Sequence, residues 1–369
     1  MKTLLEIILG PRHFVPKNLN FWYVFGALLL FAFVIQFISG LWLAMFYQPS
    51  ATQAFASIQY LMREVPYGWL IHSLHAAGAS AIFILLYLHM IRGLIYRSYR
   101  TPRELVWFFG VILFWLVMAE SFLGYLLPWG QMSYWGATVV TNLLTVLPHG
   151  DDFATWLRGD YQVSGVTLTR FYALHVIALP VMLIFVMQWH IKALHYVGSG
   201  NPQLLPIDTR SVDGKVPKDC MAFFPYQALK DLLAIIIFLI LFCAVVFFVP
   251  HLFQDPINLI PADSMQTPQE IKPLWYLASF YSLLRAVPSK LGGILFLMLS
   301  MLMWLLMPWL DRLTKARVHL LHKCLVGAWV FSWGLLTYFG LQPVAAWMNQ
   351  VLLICSISYF VLFILMGIL

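Results

Sequence analysis

Residues 67–96 read YGWLIHSLHAAGASAIFILLYLHMIRGLIY, and the fold is decided by this stretch. It holds no acidic residue and no cation before Arg92, yet it carries His72, His75 and His89. A helix rises about 1.5 Å per residue, so the stretch is long enough to cross a bilayer. His75 and His89 are fourteen residues apart. At about 100° per residue that is close to four turns, so both imidazoles project from nearly one face, about 21 Å apart along the axis. Titratable side chains inside hydrocarbon are costly and mark function. A second apolar segment, 171–195, repeats the device with His175 and His190. Two helices with two deep histidines each can hold two metal centres stacked across a membrane.

The rest of the chain fits that setting. Of 369 residues, 62% are hydrophobic and only 10% charged, more apolar surface than a water-soluble core can use. The apolar runs are long and do not alternate, which favours helices over a β-barrel. The expected class is an all-α integral membrane protein with eight transmembrane helices, at 21–47, 68–96, 105–127, 171–194, 229–249, 291–310, 322–341 and 345–368. The expected organisation is a four-helix bundle over 1–200 that carries the histidines, then a C-terminal four-helix region over 201–369.

The formal charge of +7 follows from topology and points to no nucleic acid. Lys and Arg gather at the N-terminus and in the loops after even-numbered spans. Among them are Lys2, Arg12, Arg97, Arg100, Arg210, Lys215, Arg312, Lys315 and Arg317. By the positive-inside rule both termini are expected on the cytoplasmic side, or the matrix side in a mitochondrion. The opening MKTLLEIILGPRH is too short in apolar length for a signal peptide and is broken by Glu6. Cys220, Cys243, Cys324 and Cys355 form no CxxC and no CxxCH, which argues against disulfides, zinc and covalently attached c-type haem. The loops 138–170 and 250–290 are rich in Pro, Trp and Tyr, and the amphipathic piece 275–287 is expected at the membrane interface. Pro180 is expected to kink the fourth span between its histidines.

Taken singly, a membrane histidine is more often a helix–helix hydrogen bond than a ligand. Four in two near-equal pairs favour ligation. The second and fourth spans run in the same direction, so His75 pairs with His175 and His89 with His190. Bis-imidazole ligation suits a low-spin haem that passes electrons. The neighbouring spans carry glycines at the same interval: Gly26 and Gly40 in the first, Gly110 and Gly124 in the third. Each is expected to leave room for a flat macrocycle against the backbone.

The stretches YGW…LHAAGAS, GYLLPWGQMSYWGATVVTNLL, TLTRFYALH, HYVGSGNP and SLLRAVPSKLGG carry a resemblance to a known family. From about residue 11 to 341 the chain resembles cytochrome b, the diheme subunit of the quinol–cytochrome c reductase (bc1) complex. The resemblance implies two non-covalent haem b groups. The outer, low-potential haem would lie between His75 and His175, and the inner, high-potential haem between His89 and His190, with Arg92 as a propionate partner. His175 and His190 are fifteen residues apart, where most mitochondrial-type chains have fourteen and cytochrome b6 has fifteen. That spacing leans towards a bacterial inner membrane. His72 stands where the family commonly has an arginine for a propionate of the outer haem, and it is an alternative ligand to His75.

The resemblance also implies two quinone pockets. On the inner side, His195, Ser199, Lys230 and Asp231 match the quinone-reducing site, and His plus Asp can relay the protons that reduction takes up. On the outer side, Tyr125, Pro273, Tyr276 and Tyr281 match the quinol-oxidising site. There the family reads Pro-Glu-Trp-Tyr, but this chain has Leu274 in place of the glutamate. Glu120, the acidic residue within the third span one turn before Gly124, is expected to take over the lost role. The implied mechanism splits the two electrons of quinol, one to an iron–sulfur protein and one through both haems to the inner site, with protons released outside and taken up inside. The implied partners are a Rieske iron–sulfur protein, a cytochrome c1-like subunit and a second copy of the chain. Two other readings stay open: the diheme cytochrome b anchor of another quinone-linked dehydrogenase, and a haem-free transporter with a histidine proton relay.

Overall fold

A computed structural model describes residues 14–204, 207, 209, 216–311, 320–343 and 347–368. Among these residues there are eight long apolar helical segments: α1 (Phe21–Ala44), α2 (Gly68–Ile95), α3 (Glu104–Leu126), α4 (Gly165–Val197), α5 (Phe223–Phe248), α6 (Lys290–Leu310), α7 (Leu320–Gly340) and α8 (Met348–Ile368). The number agrees with the sequence. So do most boundaries, but α4 begins earlier than its apolar run. Its start is set by a capping signal, in which the Ser164 N–H donates to Thr167 Oγ1 at 3.0 Å, and not by hydrophobicity. Lys2, Arg12, Arg210, Lys215, Arg312, Lys315, Arg317 and the opening stretch lie outside the described residues.

Helix α1 packs along α2 and α3 along α4, and α5 lies against α1 and α2. Helices α6, α7 and α8 pack together with the short helix Ala278–Arg285 and rest on α2 and α3. Their shared core is aromatic. Trp304, Trp329, Tyr359 and Phe363 are buried together, and the Trp107 indole of α3 donates to the Trp304 carbonyl at 2.6 Å. Burial of large rings on this scale dominates the packing energy of such a core. Exposed faces of α4 and α5 carry Val181, Phe185, Leu233, Ile236 and Ile240, apolar surface suited to lipid.

Three features add to expectation. Residues 275–287 are covered by protein on one face. Tyr276, Phe280 and Leu283 are buried, because this piece is the wedge on which α7 and α8 close. Two three-residue strands, Phe14–Pro16 and Cys220–Ala222, pair antiparallel with Val15 opposite Met221, tying the N-terminal segment to the entry of α5. The third feature lies just before Pro180. The residues Leu174–Ala178 form a π-helical turn, in which the Leu179 N–H reaches back to the Leu174 carbonyl. A π-turn holds one residue more than an α-turn. Fifteen residues that include it therefore rotate about as far as fourteen in a regular helix, which gives His175 and His190 nearly the phase of His75 and His89.

Where α2 and α6 end, Asp311 is buried among cations. Arg97 Nη1 lies 3.3 Å from Asp311 Oδ2 and Arg100 Nη1 3.5 Å from Oδ1. The Tyr99 hydroxyl donates to Oδ2 at 3.2 Å. Burial, and the Asp311 charge behind it, push the Tyr99 phenol up, so it stays an O–H donor. Two of the cations that mark topology are thus also tied to the fold.

Candidate functional site

The four sequence-predicted histidines meet the four sequence-predicted glycines one to one. A Cβ built on Gly40 would lie 2.9 Å from His75 Cε1, on Gly110 3.2 Å from His190 Cε1, and on Gly26 3.6 Å from His89 Cε1. On Gly124 it would overlap the His175 ring outright. Each glycine thus stands directly against one of the four imidazoles. The packing of α1 on α2 and of α3 on α4 sets this pairing.

At one end of the bundle the His75 and His175 rings face each other. Their centres are 6.2 Å apart and their planes are at 90°. Two imidazoles on one metal, each bonded at about 2 Å, hold their donor nitrogens about 4 Å apart and their ring centres roughly 6 Å apart. The Nδ1 atoms are already engaged. His75 Nδ1 is 3.0 Å from Ser39 Oγ, and His175 Nδ1 donates to the Glu120 carbonyl at 2.9 Å. Anchoring Nδ1 fixes the tautomer and leaves Nε2 as the ligating nitrogen. The same device recurs along α4, where His190 Nδ1 donates to the Val106 carbonyl at 2.9 Å. His89 completes the second set, its Nδ1 buried and without a hydrogen-bond partner among the described residues. Gln36 Nε2 donates to the His75 carbonyl at 3.0 Å and steadies α2 against α1.

The residues present fit a haem iron at the His75–His175 position by ring separation, tautomer and cradle. It is the His75 ring that faces His175, while His72 borders the same space with a buried Nδ1 that has no hydrogen-bond partner among the described residues. Near the other end, Arg92 lies over the Tyr23 ring at 4.5 Å and donates to Ser98 Oγ at 3.2 Å. Its buried Nε has no partner among the described residues, as expected of a group that meets a carboxylate on a bound cofactor.

A cavity of about 560 Å³ opens beside His75 and His175 and is lined also by Glu120, Tyr125, Leu274 and Tyr276. The Tyr276 ring stacks on Phe83 at 3.8 Å, its carbonyl accepts from the Tyr87 hydroxyl, and Trp275 Nε1 donates to Ser80 Oγ at 3.0 Å. Burial pushes the Tyr276 phenol up, so it remains an O–H donor, with a Ser121 hydrogen bond acting weakly against the shift. Pro273 and Tyr281 are not among the lining residues; Tyr281 instead sits under Arg285 at 5.2 Å. Glu120 Oε1 is 3.1 Å from His175 Nδ1.

At the opposite side, His195 is exposed on the last turn of α4, and Ser199 follows the turn made by Gly198 at φ 75°. A positive φ at that position suits glycine. Lys230 and Asp231 stand near the start of α5, where Gln227 Nε2 donates to Asp231 Oδ1 at 3.0 Å. Sequence reasoning missed Ser39, Gln36 and Gln227. Ser39, one residue before Gly40, is the one with a sequence signal, a hydroxyl on the histidine-facing side of an apolar span.

Comparison with known proteins completes the description. A family model described as Cytochrome b/b6/petB matches residues 11–198, and one described as Cytochrome b(C-terminal)/b6/petD matches residues 261–360. The chain belongs to the cytochrome b family. The cytochrome b of Allochromatium vinosum is 44% identical over 373 residues, covering 97% of this chain and 90% of that protein. The cytochrome b/c1 of Bradyrhizobium diazoefficiens is 41% identical over 367 residues, covering 96% of this chain and 52% of that longer protein. A solved structure described as a hyperthermophilic respiratory Complex III superposes with a TM-score of 0.89 at 36% identity, covering 96% of this chain and 92% of that one. As a cytochrome b, the chain is a haem-b-binding membrane subunit of a quinol–cytochrome c reductase.

Proposed function

We propose that this cytochrome b holds two haem b groups between α2 and α4 and works at two quinone sites on opposite sides of the membrane. The observation that carries this is the His75–His175 pair, with ring centres 6.2 Å apart and both Nδ1 atoms anchored. His75 and His175 hold the outer haem, His89 and His190 the inner one, and Arg92 and His72 reach their propionates. When bound, the haems supply one-electron transfer between the two sides.

The chain's own residues do the rest. Quinol is oxidised in the outer cavity, where Tyr125 and Tyr276 line the space and Pro273 and Tyr281 shape the segment behind it. Glu120, bordering the same cavity as Leu274, is the carboxylate that accepts a quinol proton in place of the missing glutamate. On the inner side His195, Ser199, Lys230 and Asp231 bind quinone and deliver protons to it, Gln227 fixing the Asp231 carboxylate. Opposite sides for proton release and uptake make the cycle translocate charge.

A Rieske iron–sulfur protein, a cytochrome c1-like subunit and a second copy of the chain are the partners. The Bradyrhizobium relative, whose name joins b with c1, supports the second of these. The chain resides in a bacterial inner membrane with both termini cytoplasmic. The test is a reduced-minus-oxidised spectrum with haem extraction on the purified subunit. Two haem b per chain are expected, with His75→Ala or His175→Ala removing one and His89→Ala or His190→Ala the other. One haem per chain in the unaltered protein sinks the reading.

A further inference from the structure

We infer that Glu120 is also a positioning residue for the outer haem: its carboxylate, together with its own main-chain carbonyl, holds the Nδ1–H of His175. This rests on the assignment of His175 as an axial ligand proposed above.

The argument starts from a repeat that is broken at one place. His175 and His190 stand on the same helix, and each donates Nδ1–H to a main-chain carbonyl of α3 at 2.9 Å. The two acceptors, Glu120 and Val106, are fourteen residues apart. Each lies four residues before a glycine, Gly124 or Gly110, that leaves space for the ring. In a helix the residue four further on sits over that carbonyl, so a side chain there would screen it. Glycine at that place lets an imidazole reach a carbonyl that already accepts a helical N–H.

The two positions then differ in one group. Residue 106 carries an isopropyl side chain with nothing to offer an N–H. Residue 120 carries a carboxyl group whose Oε1 stands 3.1 Å from His175 Nδ1, with the side chain only 19% exposed. Its Oε2 is buried and has no hydrogen-bond partner among the described residues. A buried carboxylate is costly unless something answers its charge. The Nδ1–H of His175 stands within reach of it at 3.1 Å, and positive charge on a metal bound at His175 Nε2 would answer it further. A carboxylate on the far nitrogen of a ligating imidazole orients the ring and makes it a stronger electron donor. It favours the more positive, oxidised state of the bound iron and so lowers the reduction potential at the outer position alone.

The experiment is a potentiometric titration of both haems in the intact complex, followed spectroscopically, for the unaltered protein, Glu120→Gln and Val106→Glu. Glu120→Gln keeps a hydrogen-bond acceptor and removes the charge. The ratio of reduced to oxidised outer haem at a fixed ambient potential is expected to rise about tenfold, a shift of about 59 mV for a one-electron couple. The inner haem is expected to stay where it was. Val106→Glu supplies the carboxylate at the corresponding inner place, and the inner haem is expected to shift by a similar amount the other way. An unmoved outer potential in Glu120→Gln, with both haems present, overturns the inference even if quinol oxidation falls. Should Glu120→Gln fail to assemble, an unmoved inner potential in Val106→Glu overturns it. Failure of the underlying ligand assignment looks different, since His175→Ala would then leave the outer haem spectrum intact.

Discussion

Gly40 and His75 are in contact across the α1–α2 interface, so closely that a single methyl group on the glycine would stand 2.9 Å from the imidazole Cε1. Neither backbone can give way easily, because Gln36 binds the His75 carbonyl and Ser39 binds its Nδ1. Gly40→Ala is therefore expected to displace the ring and lose the outer haem while the inner one remains. Overpacking of this kind also costs about 1–3 kcal/mol of stability. Haem content per chain and the separate absorption bands of the two haems check it. Two haems with unaltered spectra would show that the contact is slack.

Ser39→Ala leaves space unchanged and removes only the partner of His75 Nδ1. Loss of such an anchor typically weakens a metal site by about 10–100-fold. The expected outcome is a weaker outer site, read by titrating haem into the apoprotein, with the inner affinity unaffected. Ser39→Thr should keep most of the affinity.

The missing glutamate can be put back. Loss of a proton acceptor typically slows a reaction by about 10²–10⁴-fold, and that is the expected effect of Glu120→Gln on quinol oxidation. Leu274 borders the same cavity, so adding Leu274→Glu to that variant is expected to restore much of the rate. Steady-state quinol–cytochrome c activity measures both. Full activity in Glu120→Gln would remove Glu120 from the quinol reaction.

Breaking the buried cluster at the ends of α2 and α6 should unfold the protein more readily. Asp311→Ala strands the fully buried Arg97 without its countercharge. Removing one partner of a buried ion pair costs about 3–5 kcal/mol. A clear drop in thermal stability in detergent, with haem potentials unchanged in the surviving fold, is expected.

The histidines and glycines were legible because a helix turns an interval in the sequence into a place in space. Spans separated by polar loops were legible for the same reason that they insert in a membrane. What stayed hidden was whatever residue type does not record. The carbonyls of Val106 and Glu120 hold the His190 and His175 rings, yet every residue has a carbonyl. The glycines announced close approach without saying that an imidazole stands against each of them. The stretch 275–287 has the pattern of an interfacial helix because one apolar face looks the same whether lipid or protein covers it; here α7 and α8 cover it. Glu120 could be placed near the outer cavity from its position in α3, but its reach to His175 depends on how α3 and α4 are rotated against each other.

The widened turn at Leu174–Ala178 bears on how such chains are compared. An added residue is absorbed locally and leaves the bearing of His190 nearly undisturbed. Counting residues between the two histidines thus measures the wrong thing; the quantity held fixed is the compass direction of the second imidazole. A chain one residue shorter there and wound as a plain α-helix would carry its second imidazole to the same side of the helix.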